Sequence, residues 1–202
     1  KARLGIDNDM LGVLLLCIGV GSVITMPVTG GAVARFGCRR VLAVAALVYA
    51  VMLLSLSGVD SFMLAVPALL VFGAAMGVVD VTVNIHAVMV EKASGRQLMS
   101  GMHALWSVGG FIGAGIFGIW MKIGFTSFMA TVCATGIMLA LLVIFSRYLL
   151  VESGEKEESS IFAIPRGIVV FIAVIAMIAF LVEGAIMDWS GVFLTTVRGF
   201  DM

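Results

Sequence analysis

Polar and ionisable side chains are rare in this sequence, and those that interrupt its apolar stretches are the candidates for chemistry. Asp80 and Asn84 lie four residues apart, so on an α-helix they share a face. The same face carries three small residues, Gly73, Gly77 and Ala87. A carboxylate and an amide flanked by small residues are typical of a face that lines a polar cavity within a membrane. The alternative is that Asp80 only hydrogen-bonds a neighbouring helix.

A second polar group lies about twenty residues further on. His103 and Ser107 share a helical face, and Trp106 lies about 60° to one side of it. An imidazole at this place suits proton exchange near neutral pH or hydrogen bonding to a polyol. A histidine that is satisfied between helices explains the pattern equally well. His86 points away from Asp80, and we interpret it as a helix-packing group.

A third polar group is the segment EGAIMDWSGVF near the end of the chain. Glu183 and Asp188 are five residues apart and therefore do not share a helical face. Trp189 is interpreted as an anchor at the membrane interface, the common role of tryptophan at that depth.

Nothing in the sequence indicates an enzyme. It has no nucleophile–base constellation and no phosphate-binding loop. The cysteines lie far apart, without the spacing of metal ligands: Cys17, Cys38 and Cys133. We therefore predict no catalytic residue, no metal site and no cofactor.

Composition identifies the elements that must position these residues. Hydrophobic residues make up 62% of the chain and charged residues 12%, and the mean hydropathy is +1.20. The stretches without a charged residue include 10–34, 41–59, 61–79 and 123–146. About 20 apolar residues on a helix cross a hydrocarbon core of roughly 30 Å. The sequence predicts an all-α, multi-pass membrane protein in a cell membrane, the bacterial inner membrane being favoured, with the lipid bilayer as its surroundings.

We predict six membrane-spanning helices, since lipid offers an extended backbone no hydrogen-bond partners. Their expected ranges are 10–34, 41–58, 62–90, 98–123, 127–150 and 167–194. Residues 151–166 include the Ser- and Glu-rich run ESGEKEESS, which we interpret as a cytoplasmic linker. It would separate an N-terminal bundle, 1–150, from the first helix of a second bundle, 167–202.

Basic residues predict the orientation, because Lys and Arg accumulate on the cytoplasmic side. One side receives eight: Arg35, Arg39, Arg40, Lys92, Arg96, Arg147, Lys156 and Arg166. The other side receives four: Lys1, Arg3, Lys122 and Arg198. The first of these sides is therefore expected to be cytoplasmic. The net charge is zero, so no nucleic-acid partner is expected.

Glycine is abundant inside the predicted helices, where it lets backbones approach closely in lipid. Gly73 and Gly77 form one G-x-x-x-G pair, and Gly109 and Gly113 form another. We interpret both pairs as packing faces. Static packing and sliding contacts between moving helices would use the same residues.

The connection between the first two helices resembles a loop of the major facilitator superfamily, G-x-x-x-D-R-x-G-R-R. Matching positions are Gly30, Arg35, Gly37 and Arg39, followed by Arg40. Ala34 stands where the motif has its aspartate and Cys38 where it has an arginine, so the charge network of that loop is altered. In the family this loop joins the second and third helices, which implies one further helix before this chain.

Three further segments resemble the fucose-permease-like branch of the same superfamily. They are GVVDVTVN around Asp80, MHALWSVG around His103, and EGAIMDWS around Glu183 and Asp188. The resemblance implies a monomeric secondary transporter that couples protons to a small polar solute, with sugar favoured. In such a protein Asp80 would exchange the proton, and Asn84, His103, Trp106 and Ser107 would contact substrate.

Two alternatives remain open. Ala34 and Cys38 are compatible with a non-transporting sensor or assembly protein on the same fold. A drug or metabolite exporter is a further alternative, disfavoured because Ala114 follows Gly113 where exporters of this superfamily have a Gly-Pro pair.

The predicted orientation can be tested by thiol labelling of intact cells. With Cys17, Cys38 and Cys133 replaced, an impermeant reagent should label Asp60→Cys from outside and leave Ser160→Cys unlabelled. The opposite pattern would reverse the orientation.

Overall fold

A computed structural model describes residues 4–150 and 166–199 of the chain. The described residues form six α-helices: α1 (Asn8–Phe36), α2 (Cys38–Gly58), α3 (Phe62–Ser94), α4 (Met99–Lys122), α5 (Ser127–Ser146) and α6 (Ile168–Thr196). Each is long and apolar enough to cross a membrane. The prediction of an all-helical, six-span membrane chain is confirmed.

Helix boundaries differ from the predicted ones chiefly on the predicted cytoplasmic side. α1 continues to Phe36 and α2 begins at Cys38, so Gly37 alone separates them. α3 continues past the predicted residue 90 to Ser94, and Gly95 ends it in the left-handed conformation with φ 65°. Charged residues such as Glu91 and Lys92 can extend a helix beyond the lipid, where hydropathy alone predicts a stop.

α1 and α3 form the most extensive helix pair of the bundle. Their backbones touch at three glycines, where a Cβ atom would overlap the partner backbone. A Cβ on Gly21 would collide with the Leu70 carbonyl, and one on Gly73 with the Ile18 carbonyl. A Cβ on Gly77 would lie 2.8 Å from the Ser22 Cα. The predicted packing role of the Gly73–Gly77 pair is confirmed.

Hydroxyl groups reinforce the same contact. The Ser22 hydroxyl donates to the Gly73 carbonyl at 2.7 Å, and the Thr25 hydroxyl donates to the Ala74 carbonyl at 2.9 Å. Hydrogen bonds between helices are each worth about 0.6–2 kcal/mol in lipid. Small residues and hydroxyls together therefore hold α1 against α3 without large side chains.

α2 completes the bundle by packing against α3 and α5. The Tyr49 and Phe72 rings stack with centroids 4.6 Å apart, joining α2 to α3. At the other end of α3, His86 Nε2 accepts the Leu150 N–H at 3.0 Å. His86 thus joins α3 to the residues after α5, in agreement with its interpretation as a packing group.

A carboxylate orients the start of α4. Glu91, in the last turn of α3, accepts the backbone N–H groups of Leu98 and Met99 at 3.2 and 2.9 Å. These donors lie at the N-terminus of α4, which carries partial positive charge and has no side-chain cap of its own at Leu98. Glu91 therefore fixes the turn that joins α3 to α4.

α6 belongs to a second compact unit and is described by itself. It is a single apolar helix with no buried residue. The predicted linker, 151–166, lies outside the described residues except for Arg166.

The α1–α3 contact predicts a sharp difference between two glycines of the same helix. In the complete gene product, Gly21→Ala should lower the free energy of unfolding by about 1–3 kcal/mol, because the new methyl group overlaps backbone that cannot rotate away. Gly19→Ala is the matched control, since a Cβ there meets nothing within 4 Å. Thermal unfolding in detergent measures both variants. Equal melting temperatures would show that the helices do not approach this closely.

Candidate functional site

Asp80 lies near the middle of α3. Its side chain is exposed in the described bundle. The Asn84 amide donates to the Asp80 carbonyl at 3.0 Å and approaches its carboxylate at 3.4 Å. The amide thus turns back along its own helix, and the two polar side chains form one unit.

The small residues of the predicted cavity face are buried, whereas Asp80 is exposed. Gly73 and Gly77 are buried against α1, and Ala87 is buried as well. The glycines therefore do not line a cavity as we predicted for the whole face, because they are used for helix packing. Within the described residues, Asp80 makes its hydrogen bond on α3 itself, and not to a neighbouring helix.

A hydrogen bond fixes the tautomer of His103 at the start of α4. Its Nδ1 lies 3.0 Å from the Met99 carbonyl, which can only accept a hydrogen bond. Nδ1 must therefore carry a proton, and the neutral ring presents Nε2 as an acceptor. The side chain is exposed, so Nε2 is available to a ligand or a proton.

Ser107 and Trp106 continue the same exposed surface. The Ser107 hydroxyl donates to the His103 carbonyl at 3.4 Å, which leaves its oxygen free to accept. Trp106 is 65% exposed, and none of the α4 residues is buried. The structure places His103, Trp106 and Ser107 together on one helix, and among the described residues no hydrogen bond joins them to Asp80.

Glu183 and Asp188 both lie on α6 and are exposed. Trp189 beside them is 38% exposed. These carboxylates belong to a different compact unit from Asp80. Their assignment to the same site stays a prediction.

The connection between α1 and α2 is a single residue with an unusual backbone. Gly37 adopts φ 81° and ψ 151°, a conformation that residues with a Cβ rarely adopt. Its N–H donates to the Val33 carbonyl at 2.8 Å, which closes α1 before the chain reverses. Arg35 lies against the Phe36 ring, 5.2 Å from its centroid, while Gly30 is an exposed helical residue. The segment predicted as a loop is thus a one-residue turn at Gly37, which together with its flanking residues 35–40 is called the hinge below.

Cys38 has a role that the sequence did not reveal. It is 2% exposed, and its Sγ lies 3.7 Å from Met89 Sδ on α3. Ala34, the other departure from the motif, is exposed. The side chain that replaces the motif's arginine therefore packs the hinge against α3.

The described residues contain no group of three or more His, Cys, Asp or Glu side chains that could hold a metal ion. The polar groups that they do present are suited to hydrogen bonding, ring stacking and proton exchange.

Comparison with known proteins gives a consistent family. A model of the Major Facilitator Superfamily matches residues 1–202. An uncharacterized MFS-type transporter of Yersinia pestis is 47% identical over 199 residues, which cover 98% of this chain and 52% of that protein. An uncharacterized transporter of Sinorhizobium fredii is 32% identical over 191 residues, 93% of this chain and 50% of that protein.

A third relative, a membrane protein of Rhizobium meliloti named MosC, is 28% identical over 201 residues, 98% of this chain and 48% of that protein. The chain spans about half the length of the curated relatives it matches. No solved structure matches it significantly.

The contrast between Asp80 and its buried neighbour Thr82 yields a labelling test. Thr82 is 0% exposed, whereas Asp80 is open. On a cysteine-free background of the complete gene product, a charged thiol reagent should modify Asp80→Cys at least tenfold faster than Thr82→Cys. A charged reagent reacts only where water reaches the thiol. An unreactive Asp80→Cys would place this face against lipid or protein.

Proposed function

Because this chain belongs to the major facilitator superfamily, we propose that the complete gene product is a secondary active transporter for a small polar solute. It works by alternating access, with two helical halves rocking around a site near the midplane. The uncharacterized transporters of Yersinia pestis and Sinorhizobium fredii support transport as the general activity. The resemblance of three segments to the fucose-permease-like branch favours a sugar-like solute.

The observation that carries the proposal is the position of Asp80. A carboxylate at this depth of a membrane-spanning helix is costly and is retained where it faces a cavity or a partner. Asp80 is exposed in the bundle, and its recorded side-chain partner is the neutral amide of Asn84. Within the described residues no cation neutralises it. We propose that this carboxylate exchanges the coupled proton.

Proton binding at Asp80 would select between conformations. When the cavity is closed, an ionised carboxylate loses its water and the closed state is disfavoured. A bound proton removes that penalty, so the protonated protein closes and reopens on the other side. Solute binding beside Asp80 would then couple solute movement to proton movement.

Asn84, His103, Ser107 and Trp106 supply the chemistry for the solute. The amide and His103 Nε2 can hydrogen-bond hydroxyl groups, and Ser107 offers an accepting oxygen. Trp106 offers an exposed ring on which an apolar sugar face can stack. Glu183 and Asp188 would contribute from the second half of the protein. We propose that a monomer carries the whole site, without a cofactor or catalysis.

A second candidate is a non-transporting sensor or assembly protein. Its support is Ala34 and Cys38, since the second is used for packing against Met89 and the first supplies no charge to the hinge. An exporter of drugs or metabolites is the third candidate. Solute-dependent proton flux in reconstituted vesicles separates transport from sensing, and its direction separates import from export.

The decisive variant is Asp80→Asn in the complete protein. One pH unit is worth about 1.4 kcal/mol, so one coupled proton can sustain about a tenfold solute gradient. The wild type should approach this accumulation, whereas Asp80→Asn should reach only equal concentrations on both sides. Uptake into vesicles with an imposed pH difference measures the ratio.

Two controls keep that experiment specific. Asp80→Glu retains a carboxylate and should retain part of the accumulation. Solute exchange at equal pH should survive in Asp80→Asn, because exchange needs no net proton transfer. Wild-type accumulation by Asp80→Asn would refute the switch and make His103 the next candidate.

A further inference from the structure

A crevice of about 590 Å³ opens between α1, α2 and α3, away from the polar residues considered above. Its walls are alanine and valine side chains, among them Ala32, Val44 and Val71. Thr25 and Arg40 are its two polar lining residues. The Thr25 hydroxyl already donates to the Ala74 carbonyl at 2.9 Å, so the wall that it forms is effectively apolar. Arg40 is left as the single charged group of the crevice.

The crevice runs from one end of the helices towards their middle. Arg40 lies in the first turn of α2, and Val48 lies eight residues further along the same helix. Eight residues of helix span about 12 Å, close to half of a hydrocarbon core of roughly 30 Å. The crevice therefore covers the depth of one lipid leaflet, with its charge at the interface and its apolar walls below.

Arginines cluster in the segment that contains the Arg40 end of the crevice. Arg35, Arg39 and Arg40 lie within six residues, and residues 10–59 contain no aspartate or glutamate. Each arginine near an anionic membrane surface contributes about 1 kcal/mol of attraction. The first turn of α2 lies at the same end, and Gly37 supplies it no side-chain cap. An anion at the mouth thus meets the Arg40 guanidinium group beside a helix N-terminus.

The lining of the crevice favours a lipid as its occupant. Apolar side chains form the walls, and one guanidinium group, that of Arg40, lies at one end. A phospholipid with an anionic headgroup has the same arrangement, with apolar chains along its length and a negative charge at one end.

We propose that this crevice is a binding site for an anionic phospholipid, with its acyl chain against Ala32, Val44 and Val71 and its phosphate at Arg40. The site is separate from Asp80, and its occupation does not depend on proton coupling. Bound lipid fills space that the three helices leave open and neutralises the arginines of the hinge. The stability of the hinge between α1 and α2 therefore depends on the lipid composition of the leaflet that surrounds it.

The first test measures lipid binding to the purified complete protein by native mass spectrometry. Phosphatidylglycerol and phosphatidylcholine with identical acyl chains are titrated separately. The wild type should bind one phosphatidylglycerol at least tenfold more tightly than phosphatidylcholine. Arg40→Gln should reduce that preference about fivefold, and Arg96→Gln, at an exposed arginine after α3, should preserve it. Equal affinity of the wild type for both lipids, or an unchanged preference in Arg40→Gln, would overturn the proposal.

The second test identifies the occupant without relying on charge. A photoreactive diazirine analogue of leucine replaces Val44, which is 63% exposed and lines the crevice. Illumination in vesicles that contain phosphatidylglycerol should attach one lipid to the peptide around residue 44. Ala32→Trp, which fills the crevice, should reduce that adduct at least fivefold, whereas the exposed residue Val143 offers a control position for non-specific labelling. Cross-links to another segment of the same chain or to a second copy would show a protein occupant and refute a lipid site.

Discussion

Contact between the backbones of α1 and α3 at Gly21, Gly73 and Gly77 is the interaction on which the described bundle depends. Lipid tails are as apolar as leucine, so helices gain little by burying apolar side chains against each other. They gain instead from close van der Waals contact and from hydrogen bonds such as the one from Ser22 to the Gly73 carbonyl. Once α3 is fixed in this way, α2 packs beside it and Glu91 orients the start of α4.

The same constraint explains why the glycines and the polar residues of α3 occupy different parts of the helix. Its glycines are used where α1 approaches, and Asp80 with Asn84 occupies the part of the helix that α1 leaves open. A carboxylate placed within the α1 contact would have no room and no solvent. Helix packing therefore decides where on α3 a carboxylate can exchange a proton with water. A proton-coupled cycle requires in addition that this carboxylate reach water from each side of the membrane in turn.

The hinge at Gly37 is fixed by its backbone and by a packing contact with α3. A left-handed backbone lets α1 end and α2 begin within one residue, and Cys38 anchors the turn against Met89. Arg40 of the hinge is thereby held beside the apolar crevice. Two departures from the family's loop motif thus have different consequences: Cys38 adds a packing contact, and Ala34 removes a charge without adding one.

The sequence by itself determined the number of helices, their approximate ends and the position of Asp80 near the middle of its helix, because charge-free stretches of spanning length leave a chain in lipid no other regular structure. It also indicated the family, through the glycines and arginines from Gly30 to Arg40 and the segment around Asp80. Only the tertiary structure distinguished the two glycine pairs: Gly73 and Gly77 touch a partner backbone, while a Cβ on Gly109 or Gly113 meets nothing within 4 Å. It likewise showed that Glu91 caps α4, that Cys38 is buried and that a crevice lies beside Arg40. Periodicity reports which residues share a face, but which faces meet depends on helix rotation and neighbours, and these are fixed only when the helices pack.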